Sequence, residues 1–445
     1  MSKKFLSFSI EDRGPSLWRK AKKIIPGGGM LLSKRSEMFL PDLWPAYYGA
    51  AKGISVTDID GRIFKDFYMM GVGTNSLGYS RKEVDRAVIR QVRRGNMSSL
   101  NNPGEPELAA KLISMHPWAE MARFTRTGGE AMAVAVRIAR AATGRDHVAV
   151  CGYHGWHDWY LSLNLENPDG LNTLLLPGLE PLGVPSQLRS TNHAFTYGDI
   201  KSFQALIDQH ELAAVVMEVA RGAAPDVEFL GQVRELCSRK GIVLIFDECS
   251  TGFRESFGGL HMNTGVEPDM LMLGKALGNG YAVNAVLGTT AVMDSAQRTF
   301  ISSTFWTEGI GTAAAIKTLE IMSSTRSWEM ISQIGMQVKQ IWLQVAAQTG
   351  VPISVGGLDA LATFRFKDER HNVLKTFLTQ EMLKRGYLAG TSFYPSTAHS
   401  PARIARYAES LMEVFGAIAA GWEDTDFEKR LSGPEAHQTF RRLSN

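Results

Sequence analysis

The chain has little cysteine, no surplus of one charge and no long apolar run, and each shortage removes a class of protein. Three cysteines in 445 residues cannot build a disulfide framework. Their wide separation suits a reducing compartment, so a cytoplasmic protein is expected. Lys plus Arg (48) against Asp plus Glu (45) leave a formal charge of +3, too weak a balance to imply nucleic acid or an anionic membrane as a partner. No apolar stretch approaches the roughly 18 residues of a membrane span. The opening MSKKFLSFSIEDRG ends its apolar patch at Glu11-Asp12, which is not a signal-peptide pattern. Internal repeats and low-complexity tracts are also missing, and 44% apolar with 21% charged residues is ordinary globular composition. One residue type runs high: 43 glycines, about 10% against a usual share of about 7%.

Between residues 80 and 308 helical segments alternate with short apolar strands, the pattern of an α/β domain with a mostly parallel sheet. Ser80-Arg81-Lys82-Glu83 reads as a capping box opening a helix with Val84, Val88 and Val92 on one face. Further helices are expected over Glu105–Met115, from Gly129-Glu130 to Thr143, and over Phe229–Lys240 with Gly241 as C-cap. Strands are expected at His147–Cys151, Ala213–Glu218, Ile242–Asp247, Met270–Leu273 and Asn284–Leu287. Their continuous apolar character suits strands covered on both faces. Residues 309–424 read as a linking helix and an α+β unit, with helices at Gly311–Met322, Trp328–Thr349, Val373–Arg385 and Pro401–Ala420 and one strand at Leu358–Phe366. Residues 1–79 carry the alternating run ISVTDIDGRIFKDF, with Asp60-Gly61 as a hairpin turn. A large domain (80–308) and a small domain built from both termini follow, with a polar appendage at 425–445.

Five features carry chemistry, and each alone has a plain structural reading. Thr127-Gly128-Gly129-Glu130 precedes an Ala-rich helix; free N–H groups at such an N-terminus can cradle a phosphate, or simply start a helix. Tyr153, between Gly152 and Gly155 after a strand, can stack on a flat ring or pack as a rim aromatic. Asp247-Glu248 close an apolar strand, where a carboxylate can pair with a protonated ring nitrogen, hold a metal or cap a loop. Lys275 follows Met270–Leu273; an amine placed there can form Schiff bases with aldehydes, or snorkel to the surface. Ser302, Ser303 and Thr304 precede a helix start at Gly309–Gly311 and can complete an anion site or cap that helix. A phosphate cradle, a stacking aromatic, a carboxylate for a pyridinium and a Schiff-base lysine together describe pyridoxal phosphate chemistry.

With these residues in view, the chain resembles the class III aminotransferases of fold type I, and most of all their glutamate-1-semialdehyde aminomutase branch. The resemblance spans about residues 20–422. It rests on IPGG (Ile25–Gly28), DIDGRIFKDF, LGY (Leu77–Tyr79), TGGEA, RIARAATGRD (Arg137–Asp146), YHG, FDECSTGFR (Phe246–Arg254), PDMLMLGKALGNG (Pro268–Gly280) and STFW. It implies pyridoxal 5′-phosphate (PLP) as cofactor and a homodimer with shared sites. Lys275 is then the Schiff-base and proton-carrying lysine, and Asp247 the partner of the pyridine nitrogen. Tyr153 stacks on one ring face and Cys249, in place of the family's usual Val, packs on the other. Thr127, Gly128 and Gly129 bind the phosphate, with Thr304 arriving from the neighbouring subunit. His154, in the YHG run, counts among the cofactor-binding residues, as does Glu218, although Val219 stands where the family has proline.

Departures bear on the substrate. Where the aminomutases carry a carboxylate-gripping arginine after IPGG, this chain has Lys34 beside Arg35, and a lysine lacks the bidentate planar fork. Val72 stands at a pocket tryptophan, Glu308 at an asparagine, and the lid stretch Leu161–Pro185 is altered. An aminomutase must retain its intermediate, so a changed lid favours an external aminotransferase. The expected reaction moves an amino group from an amino acid, L-glutamate first, to an aldehyde or ketone acceptor, such as a sugar-derived carbonyl. Intramolecular aminomutase chemistry is the runner-up, and a non-catalytic PLP-binding regulator is the alternative of another class. Cys151, His154 and His157 form a C-x2-H-x2-H run, but three ligands on one short loop are cramped and no second pair accompanies them, so no metal is expected.

Overall fold

The computed structural model describes residues 5–167, 169–171, 178–220, 222–424 and 426–438. Part of the lid stretch (168, 172–177) and part of the tail (425, 439–445) lie outside the described residues. The chain divides into two compact units, Lys82–Glu329 and Met1–Arg81 with Met330–Asn445.

The larger unit is built on seven strands: β1 (Met121–Thr125), β2 (His147–Cys151), β3 (Asn192–Ala194), β4 (Leu212–Met217), β5 (Val243–Glu248), β6 (Met270–Leu273) and β7 (Asn284–Gly288). They lie in the order β1-β7-β6-β5-β4-β2-β3. β7 runs antiparallel to both β1 and β6, and the pairs β6–β5, β5–β4, β4–β2 and β2–β3 are parallel. Every residue of β4, β5, β6 and β7 is buried, which is what continuous apolar strands covered on both faces require. Two strands were not legible in the sequence. β1 (MARFT) carries Arg123 and is only partly buried, and β3 has three residues, an Asn and a His among them.

Six helices of this unit matter here: α1 (Lys82–Arg94), α2 (Gly104–Met115), α3 (Gly128–Thr143), α4 (Ile200–Gln209), α5 (Val227–Lys240) and α6 (Gly309–Thr325). The helix expected after Ser80 opens at Lys82, and Ser80 has φ 49. Val84, Ala87 and Val88 make its buried face, while Val92 is exposed. A capping box does occur at α3, where Thr127 accepts from Glu130 N and Glu130 answers to Thr127 N. That helix ends at Gly144 in the left-handed conformation, and α5 ends likewise at Gly241.

In the second unit Ser55–Asp58 and Ile63–Phe67 form the expected antiparallel hairpin, with Gly61 at φ 85 in its turn. Tyr48–Lys52 adds a strand on one side and Tyr387–Ala389 a parallel one on the other. The single strand expected over Leu358–Phe366 is instead the turn and second arm of a hairpin. Ile353–Leu358 pairs with Leu361–Phe366, and Gly357 at φ 76 helps the reversal. Long helices at Ser327–Thr349, His371–Lys384 and Pro401–Ala420 complete the unit. Its core stacks Phe67 on Tyr407 at 4.4 Å, and Tyr407 accepts from Trp342 Nε1 at 3.0 Å. The described part of the tail packs on this unit: Phe427 is fully buried, and Ala436 is tied to Asn372 and Thr376 by hydrogen bonds.

Candidate active site

The residues singled out for chemistry gather at the C-terminal ends of the central strands of the larger unit. In register, Asp247 of β5 lies opposite Met272 of β6, and Glu248 opposite Leu273, so Asp247 and Lys275 leave neighbouring strands at the same end. Successive strand side chains point to opposite faces, and the two carboxylates accordingly take different duties. Asp247 is buried; its Oδ2 accepts from His154 Nδ1 at 2.8 Å and its Oδ1 from the Cys249 N–H at 3.0 Å. Glu248 anchors the loop that follows, accepting from Thr251 Oγ1, the Leu260 and His261 N–H groups and His261 Nδ1. Burial alone would raise the Glu248 pKa, but these hydrogen bonds outweigh it and hold the carboxyl below its usual range.

Lys275 follows Gly274 with φ 40, an unusual conformation for a residue with a side chain. Its Nζ donates to Ser250 Oγ at 2.5 Å. Gly274 is obligatory on space: a Cβ there would lie 1.9 Å from Asn284 Oδ1 and 3.0 Å from Cys249 Sγ. A Cβ on Gly128 would come within 3.2 Å of the same sulfur. Gly128, Cys249, Gly274 and Asn284 therefore converge on one spot, with Cys249 Sγ 3.8 Å from Asn284 Oδ1. Burial pushes the Cys249 thiol up to about 11, so the sulfur packs as a neutral group and is no thiolate nucleophile.

The segment expected to take an anion is the start of α3. The capping box occupies Thr127 N and Glu130 N at 2.9 and 3.3 Å, which leaves the Gly128 and Gly129 N–H groups, the Thr127 hydroxyl hydrogen and the helix dipole for an anion. His157 and Gly155 crowd Gly129 from the other side: a Cβ on Gly129 would lie 2.9 Å from His157 Nδ1, and one on Gly155 would lie 2.9 Å from Gly129 Cα. Trp156 stacks on His157 at 4.4 Å. Behind the loop, Arg126 donates to the carbonyls of Trp306 and Glu308 and pairs with the Glu308 carboxylate at 2.9 Å. Glu308 in turn caps α6 through the Ile310 and Gly311 N–H groups. The Glu308 departure thus fastens α6 to the anion loop.

Tyr153 is partly exposed at the mouth of the site, and burial of its hydroxyl raises its pKa. Its backbone N–H points at Glu218 Oε2 across 3.4 Å, and Gly152 is needed there because a Cβ would meet that oxygen at 2.6 Å. Cys151 is buried in β2, His154 is bound to Asp247 and His157 backs Gly129. Thr304 is exposed on the short turn Thr304–Thr307. In the other unit Lys34 is exposed, and Arg35 packs on Gly27, where a Cβ would meet its guanidinium at 2.3 Å. Ser250, Asn284, Arg126 and the His157–Gly129 contact were missed from the sequence. Ser250 stands inside the FDECSTGFR run and Arg126 just ahead of TGGEA, but neither was singled out.

Similarity to known proteins settles the family. Residues 42–410 match the aminotransferase class-III family. The chain belongs to it. It is 32% identical over 378 residues to a 3-aminobutyryl-CoA aminotransferase of Cloacimonas acidaminovorans, covering 83% of this chain and 87% of that protein. It is 32% identical over 355 residues to a glutamate-1-semialdehyde 2,1-aminomutase of Methanothrix thermoacetophila, covering 78% and 80%. Among solved structures, the FumI protein of Sphingopyxis sp. MTA144 in its PLP internal aldimine form superposes with a TM-score of 0.84 at 26% identity, covering 94% of this chain and 99% of that one. The class III assignment and the fold type I architecture, read as a resemblance from the motifs, both hold.

Proposed function

We propose that the protein is a PLP-dependent aminotransferase that takes its amino group from an amino acid, L-glutamate first, and passes it to an aldehyde or ketone other than glutamate-1-semialdehyde. The observation that carries the reading is the placement of Lys275 and Asp247 on adjacent strand ends beside the α3 N-terminus. PLP is the cofactor, and the residues present fit it. Two unclaimed backbone N–H groups and a hydroxyl suit its phosphate, a fixed carboxylate suits its ring nitrogen, and glycines at 128 and 274 keep side chains out of the space between.

Bound there, PLP supplies an electron-poor ring that takes up the electron pair of the bond broken at the amino acid's α-carbon. The chain does the rest. Asp247, fixed by His154 and the Cys249 N–H, would pair with the ring nitrogen and hold its proton there. Lys275 Nζ would hold the cofactor through its aldehyde group and would carry a proton to and from the substrate. Ser250 Oγ positions that amine. Tyr153 and Cys249 supply the two packing faces, and the neutral thiol adds no competing charge.

A homodimer completes the proposal. Thr304 sits on an exposed segment with Phe300 (83% exposed) and Phe305 (69%), and a second copy covering these rings would bring Thr304 to the partner's phosphate site. Three free cysteines and, among the described residues, no helix long and apolar enough to cross a membrane are consistent with a cytoplasmic enzyme. Lys34 and Arg35, standing in the sequence where the aminomutases carry the carboxylate-gripping arginine, support an acceptor without that grip. A relative named for an acyl-CoA amine supports a larger one.

The test is a pair of half-reactions followed by visible absorbance. L-glutamate should shift the band of the purified protein and release a keto acid, and an acceptor screen should restore it. Efficient turnover of glutamate-1-semialdehyde with no added donor would replace this reading with the aminomutase. A band that no amine moves would favour a binding role.

A further inference from the structure

At the end of the sheet away from Lys275, three histidines from three elements meet. His147 opens β2, His193 is the middle residue of the edge strand β3, and His210 is the C-cap of α4, just ahead of β4. Register explains the meeting. β2 lies between β3 and β4, with Ala149 opposite His193 and His147 opposite Leu212. His147 and Ala149 share a sheet face, so His147 and His193 do too. His147 Nδ1 and His193 Nε2 stand 3.1 Å apart. The His193 and His210 rings stack at 3.8 Å, 16° from parallel. One ring nitrogen from each of the three lies within 4.8 Å of the others. His193 is buried and the other two are half-buried, so the corner is reachable from solvent.

We propose that His147, His193 and His210 bind a divalent first-row transition ion, Zn²⁺ foremost, which fastens the edge strand β3 to β2 and to the junction of α4 and β4. Imidazole nitrogens suit zinc, copper and nickel and not the oxygen-seeking magnesium or calcium. With zinc–nitrogen bonds of about 2.0–2.1 Å, neighbouring ligands of a tetrahedron stand about 3.3 Å apart. The His147–His193 pair is already at that separation, and His210 closes the rest by rotating its ring. The ion takes the place of the hydrogen bond between His147 Nδ1 and His193 Nε2: the proton on one of these nitrogens gives way to one on the other nitrogen of the same ring, so each ring stays neutral, and two nitrogen–metal bonds replace two of the ion's bonds to water. Burial, then the His210 and His147 rings, hold the His193 pKa down at about 4, and burial, then His147, lowers that of His210. Both rings are therefore neutral ligands at neutral pH. Glu166 acts on both in the opposite sense and supplies negative charge beside the ion. The site is separate from catalysis, because β2 carries His147 at one end and Cys151 at the other, about 13 Å away at strand rise.

The experiment titrates EDTA-treated, dialysed holoenzyme with ZnCl₂ in a calorimeter and records thermal melts with and without zinc. His147→Gln and His210→Gln, at half-buried positions, are the comparison variants. The expected result is one Zn²⁺ per chain, saturable heat on titration and a raised Tm. Each variant should weaken binding by about 100-fold or more and cancel the rise. Anomalous scattering from zinc-soaked crystals of the unsubstituted protein should put the ion among the three rings, which keeps the test independent of how the variants fold. No saturable binding, or binding that survives both substitutions with the ion elsewhere, such as on Cys249, would overturn the proposal.

Discussion

His154 Nδ1 donates to Asp247 Oδ2 across 2.8 Å while the Cys249 N–H holds Oδ1 at 3.0 Å, so both oxygens of the buried carboxylate are fixed in orientation. If that charge stabilises a protonated ring nitrogen, Asp247→Asn lowers kcat by about 100- to 1,000-fold. His154→Asn removes one hydrogen bond to a charged group and costs about 10- to 100-fold. Steady-state kinetics on both variants checks the order. A His154 variant worse than the Asp247 variant would reverse the roles assigned.

Gly274→Ala tests the crowding beside Lys275. The added methyl collides with Asn284 Oδ1, and overpacking of this kind costs about 1–3 kcal/mol. Denaturant unfolding should show that loss, together with weakened cofactor retention. Adding Asn284→Gly should recover part of both; no recovery would mean that the clash lies elsewhere.

His399 gives the protein an acid-sensitive core. Its Nε2 donates to the Asp66 carbonyl at 2.8 Å, and its Nδ1 accepts from the Ser396 N–H at 3.0 Å, so the ring is held neutral. Burial lowers its pKa from 6.5 to about 4. Between those values the unfolded chain binds the proton and the folded chain does not, so stability is full above pH 6.5 and falls as pH drops toward 4. The loss from this residue is on the order of 3 kcal/mol. Melts across that window should flatten in His399→Gln; an unchanged slope would contradict the assignment.

The proposed sharing of sites between two subunits is open to complementation. A Thr304→Ala homodimer should be weak and a Lys275→Ala homodimer inactive. A hybrid of the two holds one site with its own Lys275 and an intact Thr304 from the partner, so mixing should raise activity above either parent. Strictly additive activity would place Thr304 in its own chain's site or in none.

How far the sequence reached depends on the range of the contacts. Asp247, Lys275, Tyr153 and the Gly128-Gly129 pair were legible because each stands at the end of an apolar run, where chain neighbours alone mark a strand end or helix start. Ser250, Asn284 and Arg126 were not, because their roles depend on which strand lies beside which: Asn284 meets Gly274 only because β7 pairs with β6. The helix after Ser80 begins at Lys82, one residue later than the pattern implied. The His147, His193 and His210 cluster follows no spacing rule and exists only through the register of β2 with β3 and β4.

The most direct test is to locate the covalent attachment of the cofactor. Reduction of the purified holoenzyme with borohydride, followed by peptide mapping, should find one modified lysine, Lys275, and the Lys275→Ala protein should carry no label and show no turnover. A label on another lysine, or normal turnover by Lys275→Ala, would contradict the catalytic assignment.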